Sequence, residues 1–218
     1  MKTKIFYISA IMMAVVSSSC KKVSTDDISK TVTVSYPTIN LKGNASDSIV
    51  FVPQGGTYSE AGATLIDDIT GASSDLSPVN DVVDVSTTGV YAVSYSASNS
   101  NGFETTKTRY VVVYNPSVNQ EDFTGAYAHT NGRIVNVTQL SPRLFSCDDL
   151  YGTFNIPIPL YFVDYGDGLY IPQQRIDPSL GTAVDGAGEK TGVAGSYVLD
   201  FYGLTRDGLP RPRTLTEQ

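Results

Sequence analysis

The sequence contains no tryptophan, one histidine and two cysteines among its 218 residues, and each scarcity excludes a class of function. Because His129 is the only histidine, a histidine-rich zinc site cannot form, and any Ser-His or Cys-His nucleophilic pair would have to use it. We interpret Cys147 as a small residue beside a strand. The chain also lacks the G-x-S-x-G, P-loop and G-x-G-x-x-G motifs that anchor many hydrolases and nucleotide-binding enzymes.

Basic residues are scarce relative to acidic ones. The chain has 15 Lys and Arg against 22 Asp and Glu, and its formal net charge is −7. Removal of residues 1–19 would take away Lys2 and Lys4 and no acidic residue, so the remaining chain is more acidic still. Nucleic-acid binding depends on the neutralisation of phosphates by Lys and Arg. We therefore predict no nucleic-acid partner.

The N-terminus has the pattern of a secretory signal peptide. Lys2 and Lys4 precede the apolar segment 5–16 and the small residues 17–19, so we predict a signal peptide over residues 1–19. At about 1.5 Å per residue the apolar segment is too short to span a hydrocarbon core of about 30 Å. No later window of the sequence approaches 18 consecutive apolar residues.

The small residues followed at once by Cys20 resemble the lipobox of bacterial lipoproteins. The resemblance implies that Cys20 is the first mature residue and carries lipid, with residues 20–30 as a polar tether to the membrane. Two or more acyl chains, at about 0.8 kcal/mol per buried CH₂, hold a protein firmly on a bilayer. Ordinary secretion, with cleavage within the serine run, is the alternative. If Cys20 is lipidated, no intramolecular disulfide is available to the chain.

Residues 31–115 carry the signals of a β-sandwich. TVTVSY (residues 31–36) alternates apolar and polar positions, and SIVFV (48–52) is β-branched and aromatic. GVYAVSYSA (89–97) also alternates, and the turn cluster SNSNG separates it from FETTKTRYVVVY (103–114), which predicts an antiparallel pair. We expect an all-β fold throughout, since no segment shows a helical apolar stripe.

The pattern G-x-Y-x-V-x-Y-x-A-x-N-x-x-G, from Gly89 to Gly102, followed by R-x-V-x-V from Arg109, resembles the last two strands of bacterial immunoglobulin-like modules. Gly62 and Ala63 resemble an earlier strand of the same modules. The resemblance implies an immunoglobulin-like domain over residues 31–115. Such modules mostly project a partner domain or pack against it.

A second β domain is predicted over residues 116–218. Its candidate strands are residues 125–130, 133–140, 160–164, 169–171 and 196–204, and Asp167-Gly168 between two of them is a hairpin signal. We expect a small antiparallel sandwich or barrel. The whole arrangement resembles Bacteroidetes surface lipoproteins with a C-terminal β domain of unknown function, which implies an outer-membrane lipoprotein exposed on the cell surface.

Carboxylates occur in adjacent pairs, including Asp148-Asp149, and around the turn at Asp164 and Asp167. Neighbouring residues on a strand point to opposite faces, so Asp148-Asp149 is a poor catalytic pair. The DYGDG turn, residues 164–168, has oxygen ligands suitable for calcium but lacks the remaining ligands of an EF-hand. We predict solvated turns, with no metal and no cofactor.

Tyrosines are the better functional signal. Tyr161, Tyr165 and Tyr170 crowd the hairpin that also contains Asp164 and Asp167. A tyrosine offers a ring face and a hydroxyl, which suits stacking under a sugar or contact with a protein. We predict these five residues as a ligand site; the alternative is that the tyrosines only cover the sheet.

Asp47-Ser48-Ile49 resembles the O-glycosylation acceptor of Bacteroidetes envelope proteins, which implies modification at Ser48. The sequence thus favours a non-enzymatic cell-envelope lipoprotein that binds a glycan or another extracellular ligand. A glycan is preferred because lipoproteins of this architecture resemble accessory components of polysaccharide-uptake systems. A structural or partner-binding subunit of an envelope complex, and an aspartate-based glycoside hydrolase, remain as alternatives.

Overall fold

The computed structural model describes residues 34–43, 48–150, 157–177, 182–202, 205–206, 209–210 and 212–218. The predicted signal peptide, Cys20 and the tether lie outside these residues. The strands below all belong to one unit of the chain, Ser35–Gln218. Within the described residues every regular element is a strand, which confirms the all-β prediction. No helix among them is long and apolar enough to cross a membrane.

The first six strands form two three-stranded sheets of an immunoglobulin-like sandwich. One sheet has the order β1-β3-β4 and the other β2-β6-β5, with β2 parallel to β6. Their bounds are β1 Thr38–Leu41, β2 Ile49–Pro53, β3 Ala63–Ile66, β4 Ser73–Leu76, β5 Gly89–Ser98 and β6 Glu104–Tyr114. The predicted antiparallel pair is the β5–β6 hairpin. The expected strand at residues 31–36 is not seen in its described part, since the first strand begins at Thr38.

Alternation along the strands builds the core between these two sheets. Val93 and Tyr95 of β5 and Val111 and Val113 of β6 point inward and are fully buried. Arg109 also enters this core, only 2% exposed, and pairs with the carboxylate of Glu60. Glu60 accepts a further hydrogen bond from the Tyr95 hydroxyl at 2.7 Å. The buried charge is therefore paired, as a buried arginine requires.

The second half of the chain forms a closed antiparallel barrel, the second of the two architectures expected. The strand order is β10-β11-β12-β13-β16-β7-β8-β9, and β16 closes the barrel by pairing with β7. These strands are β7 Gly125–His129, β8 Ile134–Ser141, β9 Leu144–Cys147, β10 Leu160–Asp164, β11 Leu169–Asp177, β12 Thr182–Thr191, β13 Val198–Tyr202 and β16 Arg213–Glu217. The short strands β14 Thr205–Arg206 and β15 Leu209–Pro210 pair with each other outside the barrel.

Side chains fill the barrel interior. The rings of Phe145 and Phe162 stack with their centroids 5.4 Å apart. Phe123, from the segment that enters the barrel before β7, lies 5.1 Å from Phe145 and 5.0 Å from Tyr197, measured between ring centroids. Small barrels of eight strands have an interior just wide enough for side chains, and this one is packed in that way.

Candidate functional site

The sandwich and the barrel meet at a junction that begins where β6 ends. The backbone N–H of Asn115 donates to the Tyr165 carbonyl at 2.9 Å, and the Asn115 side-chain amide donates to Asp167 at 3.0 Å. The Thr88 hydroxyl donates to the other oxygen of Asp167 at 2.7 Å. The two side-chain hydrogen bonds lower the pKa of the Asp167 carboxyl group, and the one from Thr88 has the larger effect. The predicted ligand residues Tyr165 and Asp167 thus lie at the junction of sandwich and barrel, where Asp167 stays exposed.

The outer face of the sheet β2-β6-β5 packs against the outer wall of the barrel. Val112 on β6 and Val163 on β10 are both fully buried although neither belongs to the core of the sandwich or of the barrel. A hydrogen bond also joins the two surfaces: the Tyr110 hydroxyl accepts from the backbone N–H of Gln173 at 3.0 Å. Tyr170, predicted to bind ligand, is half-buried near Tyr110, and burial raises its pKa to about 12.

One end of the barrel is closed by a buried cluster of charges. Asp164 is completely buried and accepts a hydrogen bond from Lys190 at 3.0 Å, while Arg143 lies 3.6 Å from its second oxygen. Lys190 also lies 3.6 Å from Glu121. The cations compensate the carboxylate, so its burial is tolerated. Asp164 therefore faces this cluster, and the arrangement offers no surface carboxylate pair with Asp167 for glycoside hydrolysis.

A groove opens beside the junction and consists of two adjoining lobes. The larger lobe has a volume of about 530 Å³ and lies on the barrel wall, lined by Leu140, Ser146, Pro159, Leu160, Tyr161, Gln173 and Gln174. The smaller has a volume of about 400 Å³ and lies between barrel and sandwich, lined by Ser48, Ile49, Phe51, Leu140, Ser141, Leu144 and Tyr161. Leu140 and Tyr161 line both lobes, so the two lobes adjoin at these residues.

Tyr161 is the predicted ligand residue that the structure places in this groove. Phe162 points into the barrel, so alternation along β10 turns Tyr161 outward, as the sequence indicates. Its side chain is half-buried, and burial raises the pKa of the hydroxyl. Among the described residues, no hydrogen-bond partner is found for that hydroxyl. Tyr161 therefore presents its ring face and its hydroxyl at the groove surface.

The backbone beneath Tyr161 is held by the Gln174 side chain. The Gln174 amide oxygen accepts from the Tyr161 N–H at 2.9 Å, and its amide nitrogen donates to the Tyr161 carbonyl at 2.7 Å. These bonds join β10 to β11 beyond their last backbone pair, Val163 with Tyr170. In this part of the groove wall, both the backbone N–H and the backbone carbonyl of Tyr161 are therefore hydrogen-bonded.

Other groove residues were not found by sequence reasoning. Leu140 is 58% exposed on β8, where Val135 and Val137 face the barrel interior. An apolar residue at an outward position of an alternating strand is a usable signal, but single exposed leucines are common. Phe51 and Gln173 gave no signal, because their position depends on how the two halves pack.

The remaining candidate residues lie elsewhere. Ser48, predicted to be glycosylated, is exposed and lines the smaller lobe, and its modification stays a prediction. His129 is buried and its Nε2 lies 3.1 Å from the Asp149 carbonyl oxygen. Cys147 is buried in the barrel core, and burial raises the pKa of its thiol to about 12. A thiol with that pKa is protonated at neutral pH, so it lacks the thiolate that a nucleophile needs.

Asp148 and Asp149 also serve the fold. Asp148 accepts hydrogen bonds from the backbone and side chain of Asn136, at 2.9 and 2.8 Å, and Asp149 pairs with Arg133 at 3.0 Å. Within the described part of the chain, no group of three or more His, Cys, Asp or Glu residues could hold a metal ion.

Comparison with known proteins bears on the first half of the chain. Residues 39–113 match the family model described as bacterial surface protein, Ig-like domain. The match runs from β1 to near the end of β6, and the prediction of a bacterial immunoglobulin-like module is confirmed. Among curated proteins, none matches the chain at a significant level.

One solved structure with a similar chain is the lipoprotein BT2262 from Bacteroides thetaiotaomicron. It is 18% identical, with a TM-score of 0.38, and the alignment covers 84% of this chain and 100% of that chain. A likeness at this distance transfers no function to the groove described above.

Proposed function

We propose that this chain is a non-enzymatic lipoprotein of the bacterial cell envelope, exposed at the surface of the outer membrane, that binds an extracellular glycan in the groove at Tyr161. The observation that carries the proposal is the groove itself, in which the half-buried ring of Tyr161 lies among serine and glutamine side chains. Ring faces suit stacking on sugars, and hydroxyl and amide groups suit hydrogen bonding to their hydroxyls.

The matched family supports a location at the bacterial surface. The course of the chain suits a lipid anchor at Cys20. The Ser35 carbonyl accepts a hydrogen bond from Asn99, next to the β5–β6 turn, whereas the barrel follows from Tyr114 at the other end of β6. At about 3.3 Å per residue, the 11 residues of β6 span about 36 Å. The immunoglobulin-like module thus lies between Ser35 and the barrel along the chain, as a spacer would.

The glycan proposal is tested by affinity electrophoresis of the full chain through gels that contain individual polysaccharides. Tyr161→Ala should abolish retardation without lowering the melting temperature, because the ring lies at the surface of the groove. Tyr202→Ala is the matched control, since Tyr202 is an exposed barrel tyrosine that bonds Glu189 outside the groove. Equal retardation of the wild type and Tyr161→Ala would contradict a site at Tyr161.

The lipid anchor is tested separately. Cells that express the wild type should incorporate radiolabelled palmitate into the protein, and Cys20→Ala should lose both the label and membrane association. A Cys20→Ala protein that remains in the membrane fraction would contradict the anchor and leave the groove proposal intact.

A partner-binding role is a second candidate, favoured by the exposed Leu140 in the middle of the groove. An exposed leucine can contact a protein as well as a sugar ring. Recovery of one specific envelope protein with the wild type, lost with Leu140→Ser, would support it over glycan binding.

A further inference from the structure

The two lobes of the groove are built by different halves of the chain. The described residues that line the larger lobe all belong to the barrel, whereas Ile49 and Phe51 of β2 line the smaller lobe together with Leu144 of β9. Val50 and Val52 point into the sandwich core, so alternation turns Ile49 and Phe51 outward to this wall. The immunoglobulin-like module therefore contributes groove surface in addition to acting as a spacer.

We infer that the site is composite and selects an uncharged, extended oligosaccharide that occupies both lobes at once, with Phe51 and Ile49 contacting its second half. The inference rests on the proposed glycan function and names the ligand more closely. Phe51 and Ile49 act as specificity determinants, since they favour ligands long enough to pass Tyr161 and Leu140.

The side chains that line the groove determine the charge of the ligand. Among the lining residues that the structure describes, none is Asp, Glu, Lys, Arg or His, although the whole chain has 22 acidic and 15 basic residues. A carboxylate or sulfate ester placed there would lose water without gaining a counter-charge, which is costly. Serine, glutamine and tyrosine groups can replace the hydrogen bonds to water that the hydroxyls of a neutral sugar lose on binding. The groove therefore discriminates against acidic glycans.

The size and rigidity of the groove determine the length of the ligand. Each lobe lies within the range of about 300–1,000 Å³ that is usual for small-molecule sites, at about 530 and 400 Å³. The wall from β2 keeps its place because Asn115 and Thr88 hold Asp167 across the junction. A preformed wall lowers the entropic cost of binding an extended ligand.

The test compares the full chain on neutral polysaccharides (β-glucan, xylan, mannan and galactan) with acidic ones (polygalacturonate and chondroitin sulfate), followed by titration with oligosaccharides of increasing length from the retained polymer. We expect retention by a neutral polymer only. Phe51→Ala should weaken binding of hexasaccharides by about tenfold or more, as for a well-packed aromatic contact, and leave disaccharide binding unchanged. Ile49→Thr, which keeps a β-branched strand residue, should act in the same direction if Phe51→Ala folds poorly.

Phe103→Ala is the matched control, because Phe103 is a half-buried aromatic residue of the same module that contacts Tyr36 at the other end of β6. It should bind like the wild type. Hexasaccharide binding that is unchanged in both Phe51→Ala and Ile49→Thr, or equal retention by acidic polymers, would overturn this inference while Tyr161-dependent glycan binding stands. Retention by no polymer would overturn the proposed function as well.

Discussion

The guanidinium carbon of Arg143, in the β8–β9 turn of the barrel, lies 4.6 Å from the ring centroid of Tyr114 at the end of β6. The same side chain donates to the Val118 carbonyl at 2.7 Å and lies 3.6 Å from Asp164. One arginine thus contacts the sandwich, the connecting segment and the closed end of the barrel. Its backbone is left-handed, with φ of 64°, which is uncommon for a residue with a side chain.

Two substitutions at Arg143 distinguish the stability that its side-chain contacts provide from the free energy that its left-handed backbone costs. Arg143→Ala should lower the free energy of unfolding by about 3 kcal/mol, because the buried Asp164 loses one of its cations. Arg143→Gly should be less harmful by about 1 kcal/mol, since glycine adopts positive φ without a Cβ clash. Urea unfolding of both variants measures the difference. Equal destabilisation would mean that the left-handed backbone contributes nothing.

Asp167→Ala should loosen the junction without unfolding either half. The carboxylate bonds Thr88 and Asn115 across the junction, so its removal takes away two of the hydrogen bonds that limit movement of the sandwich relative to the barrel. Small-angle scattering should show a larger radius of gyration than for Asp75→Ala, which removes only an exposed surface pair with Lys42. Because the pKa of Asp167 is lowered, acid should have a similar effect as pH falls below its ordinary value of 3.8.

The buried network around Glu60 should be necessary for the stability of the sandwich. Glu60→Ala would leave Arg109 buried without its carboxylate and should cost about 3–5 kcal/mol in thermal or urea unfolding. Glu104→Ala, which removes an exposed carboxylate from the same module, should cost less than about 1 kcal/mol. Similar losses for the two variants would contradict a role for the buried pair.

Stability should fall at alkaline pH. Burial raises the pKa of the Cys147 thiol from 9.0 and of the Tyr170 hydroxyl from 10.0, in each case to about 12. Both groups stay protonated in the folded chain while the unfolded chain ionises, so stability is full below pH 9 and declines above it. Urea midpoints between pH 7 and 11 measure this decline. Cys147→Ala should remove the part that begins near pH 9, and an unchanged profile in that variant would contradict this assignment.

Part of the fold can be predicted from local periodicity. The β5–β6 hairpin alternates clearly, and the candidate strands at residues 125–130, 133–140 and 160–164 overlap β7, β8 and β10. Strand β12 was missed because Gly186 and Gly188 interrupt its sequence. The neighbouring strand leaves no room for a side chain at Gly188, because a Cβ there would lie 2.8 Å from the Asp200 carbonyl oxygen and 2.9 Å from the Phe201 ring. The reason for that glycine is invisible without the neighbouring strand.

The candidate site, like the fold, was predicted from local periodicity only in part. Alternation around Phe162 correctly turns Tyr161 outward. It could not indicate that Tyr110 and Val112 of β6 lie near the neighbouring barrel wall, or that Asn115 engages Tyr165 and Asp167. The groove residues Phe51 and Leu140 come from segments far apart in the chain, so no sequence window contains both.

The amino-acid sequence by itself determined that the described residues form strands, that the first part of the chain is an immunoglobulin-like module, predicted over residues 31–115 and matched over 39–113, and that residues alternate between the two faces of a strand. These properties follow from backbone geometry over a few neighbouring residues. Only the tertiary structure decided that β16 closes a barrel with β7, and which outward faces stay open to a ligand. Closure and burial depend on contacts between distant segments, and local periodicity carries no information about them.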